Sequence, residues 1–225
     1  MHLRMVFLTA VIASVAAFAE PEMAPLDIKL PPPNFGGTPL LYESEHLEPL
    51  DLAPRKPFSA PKGAAILSFG KTVTSSSPDP VNGKLSMVTD GEKGHENEHL
   101  VELASGTQWV QIDLGQSSEL YALIVWHFHA AARVYFDFVV RTADDPEFTK
   151  NVQTLYNNDY DNSSGLGIGQ DKEYVEDYKG RLVNAMKDGK PATGRYIRLY
   201  SRGNTSDDAN HYVEVEVWGK PVDGK

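Results

Sequence analysis

Three stretches in the second half of the chain, Trp109–Leu114, Arg195–Tyr200 and Val213–Trp218, alternate apolar and polar residues with period two. In extended backbone that spacing puts the apolar side chains on one face, so each stretch reads as an antiparallel strand with one side against a core. Because the three lie far apart yet share one design, they predict a single all-β, antiparallel β-sandwich whose connecting loops carry the chemistry. Further strands are expected at Leu120–His129, Val134–Thr142 and Val152–Tyr156. The interval from Asn157 to Gly194 reads as a long polar loop region with a short helical stretch near Arg181–Lys187.

The N-terminal part contributes little to that domain. Arg4 followed by the Ala-rich apolar run Met5–Phe18, with Ala17-Phe18-Ala19 before Glu20, reads as a signal peptide over 1–19, the alternative being an uncleaved membrane anchor. Cleavage near Ala19 would send the mature chain to the periplasm, the cell surface or the medium, and no later run is apolar for long enough to span a membrane. From 20 to 62 the chain is rich in proline, which fixes φ and removes backbone donors, so this is an extended arm or linker. Its Phe35, Leu40, Leu41, Tyr42 and Leu47 leave two expectations open, an arm docked on the domain or a partner and an arm free in solvent. The sandwich is expected over 63–220 and a tail over 221–225. Cysteine is absent, which excludes disulfides, thiol catalysis and thiolate metal sites. The formal charge of −10 argues against nucleic acid and anionic membrane surfaces and leaves room for a hard cation.

In order along the chain, Gly70-Lys71-Thr72-Val73-Thr74-Ser75-Ser76, Val88-Thr89-Asp90-Gly91, Trp109-Val110-Gln111-Ile112-Asp113-Leu114-Gly115, Arg195-Tyr196-Ile197-Arg198-Leu199-Tyr200 and Val213-Glu214-Val215-Glu216-Val217-Trp218-Gly219 resemble the discoidin, or coagulation-factor type C, domain. The same pattern is similar to the family 32 carbohydrate-binding modules and covers roughly residues 64–220. The resemblance implies a galactose-binding-like jelly roll with ligand loops at one end, often with calcium nearby, and it implies no enzyme. It also implies a calcium site in which Asp90 and Glu214 fall on family ligand positions and Glu92 replaces an aspartate. Gly94-His95-Glu96-Asn97 departs from the family where a threonine and a tryptophan normally follow. The alternative is that Asp90 caps a turn and Glu214 faces solvent.

Trp126-His127-Phe128-His129 leads to Arg133 and Tyr135, and spacing by two puts His127 and His129 on one strand face. Three readings stand: a zinc pair needing a third ligand such as His211, hydrogen bonding to sugar hydroxyls beside a stacking aromatic, and structural histidines within an apolar strand. The polar runs 157–165 and 204–211 read either as binding rims or as solvated turn clusters, and Asn162 and Asn204 begin N-glycosylation patterns. Catalytic signatures are missing, with no Gly-x-Ser-x-Gly elbow and no His-Glu-x-x-His helix. The expectation is therefore a noncatalytic, exported carbohydrate-binding module that takes a glycan or glycoprotein through His127, His129, Arg133, Tyr160, Asn162, Asn210 and His211. Structural calcium at Asp90, Glu92 and Glu214 goes with it. The alternative is a structural or adhesion module that binds another protein, through the proline-rich arm.

Overall fold

The computed structural model describes residues 21–34 and 41–222, so the expected signal peptide at 1–19 lies outside the described residues. The strands are β1 (Met23–Pro25), β2 (Ser59–Pro61), β3 (Ala65–Ile66), β4 (Thr72–Ser75), β5 (Val101–Leu103), β6 (Gln108–Trp126), β7 (Val139–Ala143), β8 (Gln153–Asn157), β9 (Arg181–Asn184), β10 (Met186–Lys187), β11 (Lys190–Ser201), β12 (Asn210–Tyr212) and β13 (Glu214–Pro221). All the strand pairs are antiparallel.

The long strand β6 organises the sandwich, because its two halves belong to different layers. Its first half pairs with β4 on one side and β11 on the other, and β11 continues to β7 and β8. Its second half pairs with β13 and β9, and β13 carries β3. Gly115, at φ 88, stands between the halves, where a side chain would be strained. Val110, Ile112, Leu123, Val125, Val140, Ile197, Leu199, Val215 and Val217 fill the core between the layers. Each such side chain contributes about 1.5–3 kcal/mol on burial.

Leu120–Trp126 is not an alternating stretch, since every residue in it is apolar. A run of that kind needs cover on both faces. Leu123 and Val125 enter the main core, while Ala122, Ile124 and Trp126 point the other way into a second cluster with Val213 and Trp218. That cluster is closed by Leu26, Ile28 and Phe58 of the proline-rich arm. The arm is pinned at its two ends by β1 pairing with β2, from Met23 opposite Pro61 to Pro25 opposite Ser59. Of the two expectations for the arm, its described residues follow the docked one on this chain's own sandwich.

Two local expectations are corrected. The stretch Arg181–Lys187 is not helical: Leu182 and Val183 pair with Ile124 and Leu123, because the free edge of β6 supplies ladder partners that a single helical turn would forgo. The polar side of β13 meets a second layer, which removes the alternative in which Glu214 faces solvent. Glu214 and Glu216 are both buried, since the second cluster and Lys93 lie over that side.

Candidate functional site

At the end of the sandwich where β8 and β11 finish and β6 and β7 begin, the segments 104–107, 127–138, 158–180 and 202–209 come together. They enclose a cleft of about 610 Å³ whose walls include Phe136, Asp137, Asn158, Tyr160, Glu173 and Arg202. Phe136 and Asp137 reach it because the chain leaves extended geometry before β7. Asp137 has φ 50, and Tyr135 bridges Asn204 rather than continuing a strand. The expected strand Val134–Thr142 therefore begins only at Val139.

The cleft is acidic. Carboxylate oxygens of Asp137, Asp159 and Asp161 lie within 4.8 Å of one another. Asp159 is fully buried and accepts from the Ser163 and Ser164 backbone N–H groups, both at 3.0 Å, so it holds the loop rather than facing a ligand. Asp137 accepts from the Ser163 hydroxyl at 2.5 Å and stands 3.7 Å from Arg202. Burial pushes its carboxyl above the ordinary range, the Ser163 bond opposes this, and Asp159 and Asp161 push the same way as burial. Tyr160 and Phe136 supply the aromatic surface, both half-buried.

The structure divides the sequence-derived candidates sharply. Tyr160 lines the cleft, and Asn162 is exposed beside it, at φ 58 with its side-chain oxygen accepting from Gly167 N–H at 2.6 Å. The other five are buried beneath. His127 Nδ1 lies 2.6 Å from Glu176 Oε1, and its ring stacks on Tyr135 at 4.3 Å. His129 Nδ1 lies 3.0 Å from the His127 carbonyl, and burial lowers its pKa. Arg133 sits 4.9 Å over the Phe128 ring and 3.5 Å from Asp207. His211 Nδ1 meets the Tyr135 hydroxyl at 2.9 Å, and burial lowers the imidazole to about 4. Asn210 donates to the Ala104 and Gly106 carbonyls at 2.8 and 3.0 Å and accepts from Ser201 and Gly203. Side chains placed this way brace the loops from inside and do not line the cleft. No His, Cys, Asp or Glu group among the described residues brings the imidazoles within metal-sharing distance.

The lining residues Phe136, Asp137, Glu173 and Arg202 were not singled out from sequence. Arg202 follows β11 directly and opens a polar run, which is the one signal that marked it.

The Asp90, Glu92 and Glu214 set lies elsewhere, at the start of β13. Gly91 N–H donates to Glu214 Oε2 at 3.0 Å, and Glu92 N–H donates to Asp90 Oδ1 at 2.9 Å. The three side chains do not form a group within 4.8 Å, so Glu92 contributes its backbone and not its carboxylate to this turn. Burial pushes Glu214 up to about 8, the Gly91 bond opposes this, and Asp90 and Glu216 add to the rise. Lys93 eases it only in part, being paired with Glu216 and donating to the Lys29 carbonyl at 2.8 Å. The side-chain donors here, the Asp90 and Glu214 carboxylates, are hard oxygens, which is the donor chemistry calcium takes.

No protein-family model and no curated protein matches the chain. Among solved structures, a family 89 glycoside hydrolase from Clostridium perfringens in complex with its substrate GlcNAc-alpha-1,4-galactose is 19% identical with a TM-score of 0.50, over 70% of this chain and 15% of that chain. The same enzyme in complex with PUGNAc gives the same values. The family 32 carbohydrate-binding module of AlyQ, in complex with 4,5-unsaturated mannuronic acid, is 20% identical over 66% of this chain and 95% of that chain, with a TM-score of 0.44. Identities this low speak to fold alone, and the fold of this chain is an antiparallel β-sandwich.

Proposed function

We propose that this protein is an exported, noncatalytic glycan-binding module whose ligand enters the cleft between Phe136 and Tyr160. The observation that carries the reading is the cleft's composition: two aromatic rings for the apolar face of a pyranose, with Asn158, Asp137 and Arg202 beside them for its hydroxyls. Carboxylates outnumber cations in the wall, so neutral or amine-bearing sugars are favoured and uronates are repelled. Binding should be weak, on the order of micromolar to millimolar, as suits a shallow open site. The modules of this fold that resemble the chain, and the signal-like N-terminus, support export and binding without catalysis. Calcium at Asp90 and Glu214 belongs to the same proposal as a structural ion that ionises Glu214 and braces the turn.

Calorimetry with galactose, N-acetylglucosamine, glucosamine and galacturonate tests the reading. Binding of a neutral or amino sugar that falls at least tenfold in Tyr160→Ala supports it. Binding that survives in Tyr160→Ala, or absence of binding to every sugar, overturns it. A second reading, a protein-docking role for the arm, is favoured by Leu41, Leu50 and Leu52, which the docked arm leaves exposed. Among the described residues no helix is long and apolar enough to cross a membrane.

A further inference from the structure

The proline-rich arm does more than close the second apolar cluster. After Leu41 it runs to the loop end of the sandwich and touches three residues of the cleft wall. The His46 imidazole stacks on the Tyr160 ring, with centroids 3.6 Å apart and planes 18° from parallel. Tyr42 packs against Phe136 at 5.7 Å, and its hydroxyl donates to the two carboxylate oxygens of Glu173 at 3.0 and 3.1 Å. The backbone holds these side chains in register: Glu48 N–H donates to the Glu173 carbonyl at 2.9 Å, and Glu173 N–H donates to the His46 carbonyl at 3.1 Å. Farther along, Arg181 meets Glu48 at 2.6 Å, and Lys172 donates to the Glu45 carbonyl at 3.1 Å.

Neither Tyr42 nor His46 lines the cleft itself, whereas Phe136, Tyr160 and Glu173 all do. The arm thus stands behind the wall and leaves the opening free. Tyr160 and Phe136 lie on loop segments outside any strand; the Tyr160 hydroxyl donates to the Asp171 carbonyl, and a ring face without a backing partner is held less firmly. We infer that Tyr42 and His46 are positioning residues of the binding cleft, so that the complete module is the sandwich together with its arm. The inference rests on the glycan-binding reading for its consequence in affinity, and on geometry alone for its consequence in ring order.

The test uses the full chain with His46→Ala, His46→Phe and Tyr42→Phe. Side-chain NMR of the unliganded protein comes first, since it needs no sugar. His46→Ala should abolish ring-to-ring contacts at Tyr160 and broaden or shift its resonances, while His46→Phe should keep them. Unchanged Tyr160 resonances in a folded His46→Ala protein overturn the inference whatever the protein binds. Affinity for galactose and glucosamine is measured next, beside the melting temperature. One aromatic pair lost predicts roughly 2- to 10-fold weaker binding in His46→Ala, restored in His46→Phe. Tyr42→Phe, which keeps the ring and frees Glu173, should weaken the glucosamine probe more than galactose. Equal or tighter binding in His46→Ala overturns the positioning role, whereas failure of the unmodified chain to bind any sugar strikes only the glycan reading.

Discussion

His211 gives a measurable signature of the buried layer under the cleft. Burial comes first among the causes that lower its imidazole to about 4, Arg133 and His127 push the same way, and Asp207 opposes them. Its other close groups are Tyr135, at 2.9 Å from Nδ1, and Glu102, at 3.8 Å from Nε2. An unfolded histidine titrates near 6.5, so between 6.5 and 4 the unfolded chain binds the extra proton and the folded one does not. Stability from this residue is complete above pH 6.5 and is lost as pH falls towards 4. The difference amounts to about 3 kcal/mol at the acid end. Urea unfolding at intervals from pH 7.5 to 4 would measure it, with His211→Asn as the comparison because an asparagine oxygen can still accept from Tyr135. The variant should start less stable at pH 7.5 and then lose less than the parent on acidification, so the two curves converge. His129 has the same sign, but it is present in both proteins and leaves the difference between the curves. Parallel curves would refute the argument and mean that the His211 ring protonates in the folded state, as an accessible sugar-binding histidine would.

Glu214 runs the opposite way. With its folded carboxyl raised to about 8 from the ordinary 4.5, chelator-treated protein should lose stability as pH rises through that window, by roughly 4–5 kcal/mol in all. Glu214→Gln should flatten that slope, and calcium should restore stability at pH 8 in the parent but not in the variant, as read by melting temperature. Gly180 has φ +65, and a Cβ there would lie 2.7–2.8 Å from atoms of the buried Trp126 indole, so Gly180→Ala should destabilise by roughly 1–3 kcal/mol in urea. A neutral result would mean that the 177–180 turn can move away from Trp126 at little cost.

The strand plan was legible because alternation is a local property of extended backbone, and the segments with clean alternation fall in β6, β11 and, from Glu214 on, β13. The wholly apolar Leu120–Trp126 also carried a readable message, that something must cover its outer face. What covers it was not readable, since Leu26, Ile28 and Phe58 show no periodicity and lie in a proline-rich stretch. The candidate site was less legible for a related reason. Spacing by two places His127 and His129 on one face of extended chain, but it does not say whether that face meets water or a second layer of side chains. Phe136 was hidden by its neighbours, because Val134–Thr142 has strand composition throughout and only Asp137, at φ 50, breaks it. Glu173 lines the cleft and bridges Leu47 of the arm, a pairing between residues too distant in sequence for any local pattern to reveal.

The polar richness of the loops has its own physical account. Segments 127–138, 158–180 and 202–209 have little regular structure to satisfy their backbone groups, and buried backbone N–H and C=O must find partners. Asn158 accepts from Phe138 N–H at 2.7 Å, and Asp171 accepts from Asn157 N–H at 2.6 Å. Asn204 accepts from Ser206 N–H at 2.9 Å, and Asn210 ties together segments on either side of β6. Each bond contributes only about 0.5–1.5 kcal/mol net, but leaving the group unpaired costs more. The Asn, Asp and His residues that look like ligand contacts in the sequence are thus largely the ones that hold the loops still. On the proposed reading, recognition falls to Phe136, Asp137, Tyr160 and Arg202, whose side chains line the cleft above that bonded layer.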